Sequence, residues 1–218
     1  MDSSEFNGKG SIENPWLEIP LSDYEGHMSE PSVAQASLLA DTLGRLVETY
    51  RPRSLALLGS AGGNGLDRVN RLVTRRVVAV DVNPSYLETC RNRYGKQFDT
   101  FEQIACDLSA GQPFEEPVDF VYAALILEYL DVYSFLDYVP SLVTSNGRIA
   151  FVFQGRSAES AVTPTGFDSL LTLERIHTFA DVGQIVHSLS ERGMKVELQQ
   201  SNLTTPFKRF TLLVMIKS

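Results

Sequence analysis

The stretch "LLGSAGGNGLDRV", residues 57–69, places four glycines within seven residues directly after a short apolar run, residues 55–58. Glycines at such a turn let the backbone approach a ligand closely. The stretch does not fit the dinucleotide fingerprint G-x-G-x-x-G, because the first glycine is followed two positions later by Ala61 and the last is followed three positions later by Arg68. It also lacks the Gly-Lys-Ser/Thr ending of a phosphate-binding loop. The glycines therefore predict close approach to a ligand that is not bound through phosphates.

Strand-like and helix-like blocks alternate along the chain on both sides of this turn. We predict strands at residues 54–58, 77–81, 101–106, 118–124, 148–153, 195–200 and 207–217. We predict helices from Pro31 to before Pro52 and at residues 64–73, 84–94, 131–139 and 178–192. This alternation predicts an α/β fold with a mostly parallel sheet and helices on both faces. The last two strands are joined by a connection too short for a crossover, so they are predicted to form an antiparallel hairpin.

Composition limits the classes of partner. The chain has 218 residues, a formal net charge of −8 and a sequence pI near 4.9, which argues against non-specific binding to nucleic acid or to anionic membranes. Its two cysteines, Cys90 and Cys106, have no spacing typical of a metal site and form no disulfide framework. No apolar run approaches the roughly 18 residues that would span a bilayer, and the start has no secretory pattern. We expect a cytoplasmic protein without a metal site.

Two segments lack a clear period. Residues 1–30 are polar, contain the single tryptophan and are predicted to be an irregular N-terminal arm or lid. Residues 155–176 are predicted to be a long loop that forms a wall or a lid. The predicted organisation is therefore an arm, residues 1–30, followed by a single domain, residues 31–218.

Acidic and small residues stand at the ends of the predicted strands. Asp81 ends the second strand about 20 residues after the glycines, where an acidic group binds the hydroxyls of a ribose. Asn83 already supplies the cap of the next helix, so Asp81 is not needed for that role. Asp107 follows the third strand, and Ala123 and Ala124 end the fourth, where small side chains leave room for a ligand above the sheet. These positions predict one ligand site at the carboxyl edge of the sheet.

In chain order these stretches resemble the class I S-adenosylmethionine-dependent methyltransferases. The matching segments are "LLGSAGGNG", "VVAVDVNPSYL", "CDLS", "VDFVYAALILEYL" and "SLVTSNGRIAFVF". The antiparallel ending also matches the seven-stranded, Rossmann-like sheet of that family. Two positions depart from its pattern: Leu57 stands where an acidic residue often opens the glycine motif, and Ala61 replaces the middle glycine.

The resemblance implies that S-adenosylmethionine is the cofactor. Asp81 would bind its ribose, Val82 and Leu108 would enclose its adenine, and the amides of the glycine turn, with a helix beginning near Asn64, would meet its carboxylate. The residues expected to contact the cofactor are Gly59, Ser60, Ala61, Gly63, Asp81, Val82, Asp107, Leu108, Ala123 and Ala124. We expect Asp81→Asn to weaken cofactor binding with little change in fold stability.

Methyl transfer depends mainly on orientation, and a base is needed only when the nucleophile must lose a proton. His27 and Glu128 are the candidate catalytic residues. Tyr24, Tyr129 and His177 are the candidate substrate-binding residues, whereas His187 is expected on the surface of a helix.

The expected acceptor is a small molecule. In the family that the sequence resembles, an N/D-P-P-Y tetrad after the fourth strand implies methylation of DNA or glutamine, and this chain has no such tetrad. A non-catalytic module with the same fold is the alternative, favoured by Leu57 and Ala61. Nicotinamide-dependent oxidoreduction is disfavoured by the failed dinucleotide fingerprint. No residue pattern identifies the acceptor or the oligomeric state.

Overall fold

The computed structural model describes residues 14–155 and 162–218, which are built around a seven-stranded sheet. The strands are β1 Ser54–Leu58, β2 Arg76–Asp81, β3 Thr100–Ala105, β4 Val118–Ala124, β5 Val143–Gln154, β6 Met194–Thr204 and β7 Arg209–Lys217. The α-helices are α1 Leu21–Ser29, α2 Gln35–Tyr50, α3 Pro84–Tyr94, α4 Val132–Tyr138 and α5 Val182–Glu191. Residues 1–13 of the predicted arm and residues 156–161 of the predicted wall lie outside the described residues.

The strand order is β3-β2-β1-β4-β5-β7-β6. The first five strands are parallel, and β7 runs antiparallel to both β5 and β6. The predicted fold class, a Rossmann-like sheet with an antiparallel C-terminal hairpin, is therefore confirmed. Most predicted boundaries differ from the observed ones by four residues or fewer, but β5 begins at Val143 instead of residue 148.

The sheet is buried on both faces. On one face, Phe135 of α4 and Ile185 of α5 belong to a core with β1, β2, β4 and β5. On the other face, Leu43 of α2 and Leu87 of α3 belong to a second core with the same strands. Because both faces are covered, β1, β2 and β4 consist almost entirely of apolar residues. Such runs can be recognised as buried strands from the sequence alone.

The prediction of an irregular arm is wrong for α1, and the prediction that a helix starts at Pro31 is wrong as well. Helix α1 has no strong apolar face, and long-range contacts stabilise it: Glu25 pairs with Arg93 of α3, and Met28 is buried. Pro31 lies in the turn between the helices, and α2 begins after Ala34, which has a left-handed φ of 51°.

The helix predicted at residues 64–73 is also absent, and only a 3-10 turn, Leu66–Arg68, is found there. The two asparagines of this segment bind backbone groups instead of joining a helix. The Asn64 side chain donates to the Ala36 carbonyl at 2.9 Å, and the Asn70 side chain accepts from the Leu72 N–H at 2.9 Å. Such side-chain bonds compete with helical ones. The predicted helix N-terminus for the cofactor carboxylate is therefore not formed.

We expect Gly63→Ala to destabilise the fold by about 2–4 kcal/mol, because an alanine would be strained at this φ and overpacked. Gly63 has a φ of +87°, and an added Cβ would approach the Cys90 Sγ and the Tyr94 ring to 2.8 Å. Gly193→Ala is the matched control, since its φ is +81° but no atom lies within 4 Å of the added Cβ. Urea denaturation should show a clearly smaller loss for Gly193→Ala. Equal losses would contradict the packing contribution.

Candidate active site

A cavity with about 620 Å³ of empty space, open to solvent, lies beyond the carboxyl ends of β1, β2, β3 and β4. Of the ten predicted cofactor residues, seven line this first cavity: Gly59, Ala61, Asp81, Val82, Asp107, Leu108 and Ala124. The position agrees with the rule that ligands of open α/β sheets bind at the carboxyl edge. The strand-end residues that are far apart in the sequence are therefore brought together around one space.

Asp81 has a structural role in addition to facing the first cavity. One carboxylate oxygen accepts from the Ala61 N–H at 2.8 Å, and the other accepts from the Asn83 N–H at 2.9 Å. Burial raises the pKa of Asp81, and the bonds from backbone amides oppose that rise. Asp81 thus fixes the glycine turn against the end of β2. The predicted cap is confirmed separately, because the Asn83 side chain accepts from the Ser85 N–H.

The other three predicted cofactor residues lie outside the first cavity. Gly63 packs against α3, and Ala123 is fully buried in the core between the sheet and helices α4 and α5, so neither has a surface to offer a ligand. Ser60 lines a small adjoining cavity, and its buried hydroxyl has no hydrogen-bond partner among the described residues.

Sequence reasoning missed several residues that line the first cavity: Asn14, Trp16, Tyr86, Cys106, Leu125, Ile126 and Leu130. Trp16 is positioned by hydrogen bonds between the arm and α3. Its carbonyl accepts from the Asn83 side chain at 2.9 Å, and the Ile19 carbonyl accepts from the Tyr86 hydroxyl at 2.7 Å. The sequence did contain one indication of this role, because Trp16 is a single large aromatic residue in an otherwise polar arm.

A second cavity, with about 500 Å³ of empty space, adjoins the first. The two cavities share Trp16, Tyr24, Leu125 and Tyr129 as lining residues. The arm meets the predicted wall here, since Ile19 packs with Val162, Leu170 and Leu173. The second cavity brings together His27, Glu128 and His177, and it adds three polar residues that the sequence did not indicate: Gln35, Gln154 and Lys208.

Glu128 is held rigidly at the second cavity and is 1% exposed. It lies in the 3-10 turn Leu127–Tyr129 after β4, and its Oε1 accepts from the Gln154 N–H at 2.7 Å. Its backbone carbonyl accepts from the Thr178 N–H at 2.8 Å. Oε2 has no hydrogen-bond partner among the described residues. Burial raises the pKa of Glu128 from 4.5 to about 7.

Glu128 does not cap the next helix, since the Asp131 side chain caps α4 by accepting from the Tyr133 N–H. The carboxylate is instead directed to the end of β5, where Gln154 is the last residue. Glu128 therefore lines the second cavity without capping a helix, and its Oε2 has no hydrogen-bond partner within the described part of the chain.

Both histidines of the second cavity are held neutral. Burial, together with the charge of Lys208, lowers the pKa of His27 to about 4 and lowers the pKa of His177. The His27 Nδ1 bonds to the Thr165 hydroxyl at 2.7 Å, which joins α1 to the predicted wall. His187 is exposed on α5, as predicted.

The first cavity fits the cofactor that the sequence implied. Val82 and Leu108 offer apolar surface, and Asp81 and Asp107 offer acceptors for hydroxyl and amino groups. In the small adjoining cavity, the Ser60 hydroxyl has no hydrogen-bond partner among the described residues. No phosphate-binding arrangement is needed for this molecule, in agreement with the glycine spacing. Among residues 14–155 and 162–218, no three His, Cys, Asp or Glu side chains gather as metal ligands would.

Residues 57–151 match the family model described as a methyltransferase domain. Among solved structures, a magnesium protoporphyrin IX methyltransferase from Synechocystis PCC 6803 with bound S-adenosylmethionine has a TM-score of 0.68 and 9% identity, covering 96% of this chain and 99% of that chain. A geranyl diphosphate C-methyltransferase from Streptomyces coelicolor A3(2) has a TM-score of 0.62 and 10% identity. The match covers 82% of this chain and 77% of that chain. An N-methyltransferase from Bradyrhizobium japonicum WM9 has a TM-score of 0.58 and 15% identity. The match covers 82% of this chain and 93% of that chain.

No curated protein matches the chain in sequence. Within the described residues, no helix has the length and apolar character that crossing a membrane requires. These solved structures share less than 20% sequence identity with the chain, so they support the fold and do not identify the methyl acceptor.

Proposed function

We propose that this chain, which carries a class I S-adenosylmethionine-dependent methyltransferase domain, methylates a small-molecule acceptor that binds in the second cavity. S-adenosylmethionine is the cofactor of this domain. The proposal for the acceptor rests on the wall that the two cavities share, because a molecule in the second cavity would lie directly beside a cofactor in the first.

The first cavity would hold the cofactor through residues of four strand ends. Asp81 would accept from the ribose hydroxyls, and Val82 and Leu108 would lie against the adenine. The Ser60 hydroxyl, in the adjoining small cavity, would bond to the amino-acid end. Once bound, the cofactor supplies an activated methyl group on a sulfonium, which is an excellent leaving group. The protein then has to orient the acceptor and exclude water, which contributes about 7–11 kcal/mol in well-oriented reactions. Trp16 and Tyr24, from the arm, cover both cavities and serve that exclusion.

Glu128 is proposed as the base that takes a proton from a hydroxyl or amine of the acceptor. The observation that carries this proposal is its buried Oε2, which has no partner among the described residues and belongs to a residue lining the second cavity. A carboxylate with a pKa near 7 is a better base than an ordinary glutamate and is still half ionised at neutral pH.

His27 is the weaker of the two candidate bases. Its pKa near 4 makes its neutral imidazole a poor proton acceptor, and its Nδ1 already bonds to Thr165. We therefore propose that His27 and His177 form part of the acceptor wall, together with Tyr24 and Tyr129, and that Glu128 alone acts as base.

The function can be tested in two steps that use the single tryptophan. Trp16 lines both cavities, so binding of S-adenosylhomocysteine should change its fluorescence. Transfer of labelled methyl from S-adenosylmethionine to a panel of small phenols, amines and acids should then identify acceptors. No binding at millimolar concentration would reject the cofactor site, and binding without any labelled product would favour the non-catalytic module.

We expect kcat/KM to rise with pH and to level off above about pH 7, because Glu128 can act as a base only after it has lost its proton. His177 titrates below its ordinary range, and Tyr24 and Tyr129 titrate above theirs, so none of them produces a midpoint near 7. The rate should be measured between pH 5 and 9 with saturating cofactor. A rate that is already independent of pH across this range would assign the base to His27 instead, because its pKa is about 4.

A further inference from the structure

We propose that Asn83 is a positioning residue for methyl transfer, which holds Trp16 of the arm over the place where the two cavities meet. The assignment rests on the proposed function, since it concerns the roof above the cofactor and the acceptor. Asn83 is 5% exposed and is not among the described residues that line either cavity, so it acts through Trp16 and not through contact with a ligand.

The side chain of Asn83 serves two elements with its two polar atoms. Its Oδ1 accepts from the Ser85 N–H at 3.0 Å and from the Ser85 hydroxyl at 2.7 Å, which caps α3. Its Nδ2 donates to the carbonyl of Trp16, 67 positions earlier in the chain, at 2.9 Å. Capping requires only an acceptor, and serine or aspartate supplies one about as well as asparagine does. The N–H group of this amide therefore serves the arm and is not needed by the helix.

Trp16 is the residue that this hydrogen bond positions. It lines both cavities, and its ring meets Tyr24 of α1 and Tyr129 of the turn after β4 edge to face, with ring centroids 5.7 and 5.2 Å apart. The Trp16 N–H donates to the side chain of Asn14 at 3.1 Å. Because the ring and the carbonyl belong to one residue, a shift of the carbonyl moves the wall that the two cavities share.

The backbone of Asn83 joins the same residue to the cofactor side. Its N–H donates to one oxygen of Asp81 at 2.9 Å, and the other Asp81 oxygen accepts from the Ala61 N–H in the glycine turn at 2.8 Å. The glycine turn, the proposed ribose site and Trp16 are thus connected through one short segment, residues 81–83. Coupling between two sites is reciprocal, so cofactor binding should restrain Trp16, and restraint of Trp16 should strengthen cofactor binding.

A second bond from α3 holds the arm at Ile19. The hydroxyl of Tyr86 donates to the Ile19 carbonyl at 2.7 Å, and both residues are buried. Ile19 also packs against Leu170 and Leu173 of the wall segment. Loss of the Asn83 bond should therefore loosen Trp16 while the arm stays attached at Ile19.

The test replaces Asn83 with residues that can cap α3 but cannot donate to Trp16. Asn83→Ser has a capping oxygen and a shorter side chain, and Asn83→Asp has an oxygen in place of the donating nitrogen. Trp16 is the single tryptophan and is half-buried, so acrylamide quenching of its fluorescence measures its exposure in the full chain. Both variants should be quenched more strongly than the unaltered chain. Both should also bind S-adenosylhomocysteine about three- to tenfold more weakly, as expected for the loss of one hydrogen bond.

Asn70→Ser is the matched control. The Asn70 side chain also accepts from a backbone N–H two residues later, that of Leu72, at 2.9 Å. Asn70 lies on the segment that leads into β2 and is not among the described residues that line either cavity. Asn70→Ser should change neither the quenching of Trp16 nor the affinity for S-adenosylhomocysteine.

The quenching distinguishes a positioning role from a local disturbance of Asp81. Unchanged quenching in both Asn83 variants would overturn the proposal even if S-adenosylhomocysteine bound more weakly, because the weaker binding would then arise at Asp81. Stronger quenching with unchanged affinity would also overturn it, since Trp16 would then be loosened without consequence for the cofactor. Equal effects in Asn70→Ser would show that the bond to Trp16 is not their cause.

The same measurements separate failure of the inference from failure of the proposed function. If S-adenosylhomocysteine binds the unaltered chain and both Asn83 variants equally and Trp16 is equally shielded in all three, the function stands and the inference is wrong. If S-adenosylhomocysteine does not bind the unaltered chain at millimolar concentration, the cofactor site and the role of Asn83 are both rejected.

Discussion

Glu128→Gln is expected to lower the rate of methyl transfer about 100- to 10,000-fold while leaving binding of S-adenosylhomocysteine unchanged. A general base contributes a factor of this order, and glutamine cannot accept the proton. The variant retains the shape of the residue and the amide oxygen that can accept from the Gln154 N–H. The rate should be measured with an acceptor identified by labelled methyl transfer, and binding should be followed through Trp16.

The matched control is Glu191→Gln, the same substitution at an exposed glutamate of α5. It should leave both the rate and the binding unchanged. A Glu128→Gln enzyme with an undiminished rate would show that the acceptor loses no proton to this residue, and the unpaired carboxylate oxygen would need another explanation.

The same substitution should stabilise the fold at alkaline pH. The pKa of Glu128 is raised from 4.5 to about 7 in the folded state, so the folded chain binds more protons than the unfolded chain between these values and loses stability as pH rises through them. The cost is fully present above pH 7 and amounts to about 3 kcal/mol. Glu128→Gln, which does not titrate, should therefore show its largest gain in unfolding free energy at pH 8 and none at pH 4. A gain that is independent of pH would contradict this origin.

Asp81→Asn is the second substitution with a large expected effect, and it should weaken cofactor binding by about 1.5–3 kcal/mol, or about 10- to 150-fold. The structure changes the expectation of unaltered stability. Each oxygen of Asp81 accepts one backbone N–H, from Ala61 or from Asn83, and an amide can keep only one of these bonds. We therefore expect a loss of about 1–3 kcal/mol in unfolding free energy as well.

Asp119→Asn is the matched control for Asp81→Asn, because it removes a carboxylate charge and can keep both backbone hydrogen bonds. Asp119 also accepts two backbone N–H groups, from Arg53 and Ser54, but a single oxygen accepts both, so the oxygen of an asparagine can replace it. The residue lies in β4 at the start of the strand, away from the cavities at the carboxyl edge. Asp119→Asn should cost little stability and no affinity, whereas Asp81→Asn should lower both. Unchanged affinity in Asp81→Asn would remove the residue from the cofactor site.

The alternation of apolar strands and helices was sufficient to predict the sheet. β1, β2 and β4 lie between two covered faces, so nearly every residue in them is apolar and their limits are visible without a period. The short connection between β6 and β7 fixed their antiparallel pairing for a simple geometric reason. Strand ends and the glycine turn then predicted the first cavity, because the carboxyl ends of parallel strands meet at one edge.

Local segments without such a constraint were predicted poorly. Helix α1 exists because Glu25 and Met28 find partners in α3 and in the core, and the chain around residues 64–73 avoids a helix because Asn64 and Asn70 bind backbone groups. Both outcomes depend on contacts that local propensity does not contain.

The second cavity was decided by tertiary structure alone. The sequence by itself determined the sheet, the cofactor edge and a set of separate candidates, among them His27, Glu128 and His177. The folded chain brought these three to one wall and added Gln154 and Lys208, which stand in strands or loops with no signal of their own. Burial raises the pKa of Glu128, and burial together with the charge of Lys208 lowers the pKa of both histidines. This burial requires the arm and the wall segment to pack together in the folded chain. Burial is a property of several elements packed together, and no single stretch of sequence encodes it.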